Sequence, residues 1–255
     1  MNLAKLVLIL VSCGCCLSAN YAQQRQIDSL KTVLSDNPSD TSRLLTLLEL
    51  SGTLFRSQPD EAIGYAQQAK ELAEELNDIE RLAYALKNIG LSYYIKGDYV
   101  EVLNYWQQSL TTFQSIRHQL GISNLMSNIG AVYFNQGDDP TALEYYLESL
   151  KAAEKLGNKL RIATALSNIG AVYVNKEATY DKAMEYYQRA MPIGEELGSP
   201  SVIGTAAVNL GELHLHRKEY DTALAYLEKA ISSFEKTGGD IATAKYFVGK
   251  SPRAA

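Results

Sequence analysis

The sequence is poor in the residues that build most catalytic and cross-linked centres. Its 255 residues include three cysteines, Cys13, Cys15 and Cys16, all within the first 16 positions. Beyond them no thiolate is present for a metal site, a disulfide or a nucleophile. Proline occurs 6 times and tryptophan once, so little interrupts long helices. No apolar stretch after Leu17 approaches the ~20 residues that span a bilayer. An excess of basic charge is also missing: 24 Lys+Arg stand against 29 Asp+Glu, a net charge of −5. That excludes a nucleic-acid binder relying on a basic surface. Neither G-x-S-x-G nor a carboxylate pair in a recognisable turn occurs.

The remaining catalytic motifs fail on inspection. His214 and His216 would point ~200° apart on a helix and cannot share a metal unaided. His118 stands alone near an expected loop and reads as solvated. Ala244 to Ser251 falls one residue short of a phosphate-binding loop: the leading glycine is missing and no strand precedes it. No cofactor or metal is expected. Hydrophobic residues at 46% and charged residues at 21% nevertheless describe a chain that folds.

The first 22 residues read as an address. One lysine, Lys5, precedes an apolar run from Leu6 to Leu17, and Ala19 to Ala22 offers a cleavage point. A second reading takes Leu10-Val11-Ser12-Cys13 as a lipobox that leaves Cys13 lipidated. Either way the chain is expected to be exported, periplasmic or secreted, with no membrane span once the signal is removed.

What the chain does contain is a period. Asn88-Ile89-Gly90, Asn128-Ile129-Gly130, Asn168-Ile169-Gly170 and Asn209-Leu210-Gly211 align, their glycines 40, 40 and 41 residues apart. Tyr105-Trp106, Tyr145-Tyr146, Tyr186-Tyr187 and Tyr226-Leu227 follow at a fixed offset, and Ala62 with Tyr65 mark a weaker earlier unit. The extra residue lies between Lys176 and Tyr180. Such a period means a stacked array. Leu86, Ile89, Gly90 and Tyr93 share one helical face, and a glycine kept inside a helix at a cost of ~1 kcal/mol points to close helix approach. Gly97-Asp98 and Gly137-Asp138 supply a left-handed stop and then an N-cap, with Glu101 at capping-box spacing. The second helices are expected to end near Asn77, Gly157, Gly198 and Gly238. Pro192 falls inside one of them and should kink it.

These residues resemble the tetratricopeptide repeat in its ~40-residue form: the Ile-Gly-x-x-Tyr element matches the first helix of that family, and Ala142, Ala183 and Ala223 followed by the tyrosine pairs match the second. The resemblance implies an all-α fold, an α-solenoid of stacked antiparallel helix pairs. The expected organisation is a signal peptide over 1–22, a capping helix and loop over 23–41, five repeats and the start of a sixth over 42–248, and an irregular tail over 249–255. No polar helix closes the array, so self-association through the last repeat is expected.

The resemblance also implies that the first helix of each pair lines a concave surface. Asn88, Asn128, Asn168 and Asn209 would then run down a groove, joined by Asn124, Asn135, Thr164 and Asn175. An amide both donates and accepts, so it can read the main chain of an extended peptide. The rival reading is structural: an asparagine bonding the neighbouring helix would hold the repeats in register. The tyrosine pairs read as packing between repeats. Lys87 is the only basic residue at its repeat position, so a two-lysine clamp for a carboxylate is not visible. The expected function is a non-catalytic, exported scaffold binding a peptide or protein partner. The alternative, also carried by resemblance, is the periplasmic sensor part of a membrane signal transducer of histidine kinase, nucleotide cyclase or transcription-regulator type.

Overall fold

The computed structural model describes residues 23–36, 39–235 and 241–251. The address segment, Gly238 and the last four residues lie outside the described residues. The described residues form helices and turns without a strand, and none of these helices is long and apolar enough to cross a membrane. Contacts divide the chain between Ile116 and Arg117 into two units.

The first unit holds α1 (23–35), α2 (Asp40–Leu54), α3 (Pro59–Glu75), α4 (Ile79–Lys96) and α5 (Tyr99–Ser115). Ile27, Leu30 and Leu34 of α1 pack onto Leu50, Leu54 and Ala62, covering the first helix pair. Lys31 adds an ion pair to Glu61 at 2.8 Å. Leu44, Leu47, Ala69, Ala73 and Ala85 continue the core toward α4. Each fully buried leucine there contributes about 1.5–3 kcal/mol.

The second unit holds α6 (Gln119–Asn135), α7 (Asp139–Leu156), α8 (Lys159–Val174), a 3-10 turn (Glu177–Thr179), α9 (Tyr180–Glu196), α10 (Pro200–His216), α11 (Tyr220–Glu235) and α12 (Ile241–Lys250). The extra residue of the third interval is absorbed by that 3-10 turn, where the Thr179 hydroxyl donates to the Tyr173 carbonyl at 2.6 Å. α9 continues as one helix through Pro192. α12 occupies the near-match to a phosphate loop, which is therefore helix rather than a strand–loop element.

Packing explains the repeated glycines. A Cβ on Gly90 would stand 2.4 Å from the Trp106 ring, and one on Gly130 or Gly170 would stand 2.9 Å from Tyr146 or Tyr187. On Gly211 it would meet Leu227 at 2.7 Å. The second residue of each aromatic doublet thus lies across the glycine of its own pair. The first residue stacks on the tyrosine three positions after that glycine: Tyr93–Tyr105, Tyr133–Tyr145 and Tyr173–Tyr186 have centroids 5.6–5.7 Å apart. His214–Tyr226 is the fourth stack, at 5.3 Å. The aromatic doublets therefore join the two helices of one pair, and their second tyrosines also make the expected packing between repeats: Tyr146 clusters with Leu166 and Ile169 of α8, and Tyr187 with Leu210 and Leu213 of α10.

Helix ends follow the expected chemistry at most junctions. Gly97, Gly137, Gly157, Gly198 and Asn77 have positive φ. Asp98 and Asp138 accept from the Glu101 and Thr141 amides. Only half of the capping box forms, because the Glu101 carboxylate accepts instead from Asn104. His118 is not a solvated bystander: its Nδ1 accepts from the Gly121 amide at 3.0 Å and caps α6.

Candidate functional site

Within the second unit α6, α8, α10 and α12 are close neighbours in sequence of repeats, as are α2 and α4 within the first. Contacts between successive second helices are far sparser. Layers that approach on one side and splay on the other must bend, so in each unit the first helices form the inner layer. Their exposed face is the candidate site.

The eight candidate residues do not occupy equivalent environments. Asn88 is 8% exposed. Its amide donates to the Ser51 hydroxyl at 2.8 Å and the Leu48 carbonyl at 3.2 Å, both on α2. Tyr84, one turn earlier, packs edge-on against Phe113 rather than facing away from the core. In the second unit Asn168 donates across the α6–α8 contact to the Ser127 hydroxyl at 3.0 Å. These two amides fasten one first helix to the preceding one. Asn209 turns back to the Thr205 carbonyl of its own helix at 2.8 Å, and Thr164 does the same to Leu160 at 2.9 Å. Asn128 and Asn124 are half-buried on α6, and the Asn124 Oδ1 is buried without a hydrogen-bond partner. Asn135 is the exposed last residue of α6. Asn175 caps α8 and donates to both Asp139 carboxylate oxygens at 3.1 and 3.2 Å.

That last bond belongs to a series. Lys96 reaches Asp60 at 2.6 Å, and Arg217 pairs with Asp181. In each case the end of a first helix meets an aspartate in the first turn of the preceding second helix, 36 residues earlier.

The expected site residues stop short of the C-terminal part of the inner face, where Glu212 and His216 occupy the equivalent positions of α10. Glu212 is the one carboxylate in the inner-face series, a signal that was available. It is half-buried, and burial pushes its carboxyl above the usual range against the opposing pull of His216 and Lys250. The Tyr187 hydroxyl, on a side chain 1% exposed, has no hydrogen-bond partner. Burial first, and the Glu212 charge second, push its ionisation far up. Among the described residues no group of three or more His, Cys, Asp or Glu side chains is placed to hold a metal.

Antiparallel helix pairs, each closed over its interior glycine and stacked in series, define an α-solenoid. Two tetratricopeptide repeat models match the sequence, over residues 121–196 and 204–240. The chain carries tetratricopeptide repeats. Among solved structures it is similar to BtubC from P. vanneervenii, at 18% identity and a TM-score of 0.60, covering 78% of this chain and 91% of that one. RapI in its apo form gives 18% identity and a TM-score of 0.70, covering 88% of this chain and 64% of that one. A signal-transduction ATPase of the STAND type with a tetratricopeptide repeat sensor, from Pyrococcus horikoshii, gives 18% and 0.60 over 84% of this chain. The chain spans only 36% of that protein. At these identities the likeness establishes the fold alone. No curated protein sequence matches the chain.

Proposed function

We propose that this protein is an exported, non-catalytic scaffold that holds an extended segment of a partner protein against the inner face of its first helices. The observation that carries the reading is the chemistry of that face in the second unit. Asn128, Thr164, Asn168 and Asn209 offer hydrogen-bonding groups without charge, suited to a peptide main chain. An open face of this kind accepts a strand of polypeptide more readily than it encloses a reacting substrate. A further support is that a Rap protein, similar in fold at a TM-score of 0.64 and 16% identity, is known in complex with competence and sporulation factor.

The test begins with selection from a displayed library of random twelve-residue peptides. The selected peptide should bind the double variant Asn128→Ala/Asn209→Ala at least tenfold more weakly, with the helical circular dichroism unchanged. Equal affinity in that variant would retire the groove. Export is tested separately by fractionating cells that express the full chain.

The sensor reading is the second. It is favoured by the likeness to the STAND protein with its tetratricopeptide repeat sensor. The genomic sequence downstream decides it: an apolar segment of ~20 residues followed by an output domain supports the reading, and their absence removes it.

A further inference from the structure

The end of the second unit contains a cavity that the groove reading does not use. It has a volume of about 380 Å³ and is lined by Glu212, Leu215 and His216 of α10, Lys218 of the following turn, Tyr220 at the start of α11, and Phe247 and Lys250 of α12. That volume falls within the ~300–1,000 Å³ of small-molecule sites.

Its charges are only loosely paired, Glu212 forming a long ion pair with His216 and lying within the field of Lys250. Glu212 supplies a carboxylate whose neighbour, the His216 Nε2, stands 3.9 Å away, longer than a hydrogen bond. The buried Tyr187 hydroxyl, which feels the Glu212 charge, has no hydrogen-bond partner. The Lys250 ammonium lies over the Tyr246 ring at 4.4 Å and near the Phe247 ring at 6.0 Å, so aromatic faces hold it while its charge persists. Lys218, in the left-handed conformation at φ 62°, is a second basic residue on the cavity wall. Leu215, Tyr220 and Phe247 make the rest of the lining apolar.

A simple anion would meet Glu212, and a simple cation would meet two lysines. A ligand carrying both charges on adjacent atoms, with an apolar body, satisfies all three parts of the lining. We propose that this cavity binds a free α-amino acid with an apolar side chain. Its ammonium pairs with Glu212, its carboxylate with Lys218 and Lys250, and its side chain lies against Leu215, Tyr220 and Phe247. The site lies at the C-terminal end of the inner face, beyond the asparagine row, and its occupancy by an amino acid is read without a peptide partner.

Isothermal titration of the full chain with L-leucine and with L-phenylalanine tests the assignment. A saturable heat is expected with at least one of them below about 10 mM. N-acetyl-L-leucine, which lacks the ammonium, and L-leucinamide, which lacks the carboxylate, should each bind at least tenfold more weakly than the parent amino acid. Glu212→Gln and Lys250→Met should each weaken binding at least tenfold while the melting curve stays cooperative. The assignment is overturned if neither amino acid gives a saturable signal, if either blocked derivative binds as tightly as leucine, or if both variants bind like the native chain. The blocked derivatives act on the native protein, so the result does not depend on either variant folding.

Discussion

The α4–α5 pair and the α10–α11 pair follow one plan and differ in what they place at each repeated position. In α4–α5 the interior glycine lies under a rigid indole whose Nε1 donates to the Lys87 carbonyl at 3.1 Å. Asn88 is buried and bonded to α2. In α10–α11 the glycine lies under Leu227, a histidine replaces the stacking tyrosine, and Asn209 bonds only within its own helix. His214 also approaches Glu219 at 2.5 Å. The early pair spends its conspicuous polar residues on holding helices together. The later pair buries His214 against Tyr226 but leaves Asn209 half-buried on its inner face, on the same helix as the mixed-charge cavity described above. Repetition thus preserves geometry while releasing individual positions for binding.

The sharpest way to break this contrast is at the indole. Trp106→Ala should cost about 3–5 kcal/mol in urea denaturation of the full chain, through a cavity over Gly90 and a lost hydrogen bond. A loss below about 1 kcal/mol would mean that the glycine–aromatic contact does not organise the pair. Next come the glycines themselves. Gly90→Ala should lose about 1–2 kcal/mol net, because displacing the indole outweighs the ~1 kcal/mol gained in helix propensity. Gly211→Ala meets mostly the flexible end of Leu227 and should fall within about 0.5–1 kcal/mol of the native chain. Equal losses at the two sites would erase the distinction.

A smaller difference is expected at the asparagines. Asn88→Ala should lose about 1–2 kcal/mol, since it removes the donor that serves two acceptors on α2. Asn209→Ala should stay within about 0.5 kcal/mol. Thermal melting of the two variants side by side reads both.

The smallest effect is a pair of opposite pH responses. A hydrogen bond from Lys31 holds the Glu61 carboxyl below its usual range, so its contribution is present above the ordinary carboxyl pKa of ~4.3 and disappears as the pH falls through the lowered folded value. Burial raises Glu212, so its ionisation opposes folding as the pH climbs from that same ~4.3 through the higher folded value. At pH 7 Glu61→Gln should therefore lose stability and Glu212→Gln should gain it, each by about 0.5 kcal/mol or less, because both side chains remain partly exposed to screening solvent. Both differences should vanish at strongly acid pH. Shifts of the same sign would contradict the assigned environments.

Much of this architecture was legible because it is written several times. The glycine–aromatic pattern and the 40-residue interval located the pairs, and Gly97, Gly157 and Gly198 marked the ends of their helices. Other junctions carry no such signal. Arg117 and Lys218 adopt the left-handed conformation with φ of 53° and 62°, a strain of ~1–2 kcal/mol for a residue with a Cβ; at Lys218 it lets the Glu219 amide close the helix end onto the His214 carbonyl at 2.9 Å. His118 caps a helix where aspartate or asparagine does so elsewhere, and periodicity says nothing of such a replacement. The candidate site was legible only as a row of equivalent positions. Whether an amide in that row faces a serine on the adjacent helix, as Asn168 faces Ser127, depends on a residue outside the motif. The cavity was harder still, since Lys250 enters its wall from α12, beyond the last complete repeat.

The aspartates that open α3, α7 and α9 each find a mate at the end of the following first helix. The three joints that keep this offset, α3 to α4, α7 to α8 and α9 to α10, are interchangeable in kind. Cutting out or duplicating one segment between equivalent aspartates would leave each newly formed seam with both halves of its fastener, so a solenoid of this design can change length by whole modules without inventing a new junction.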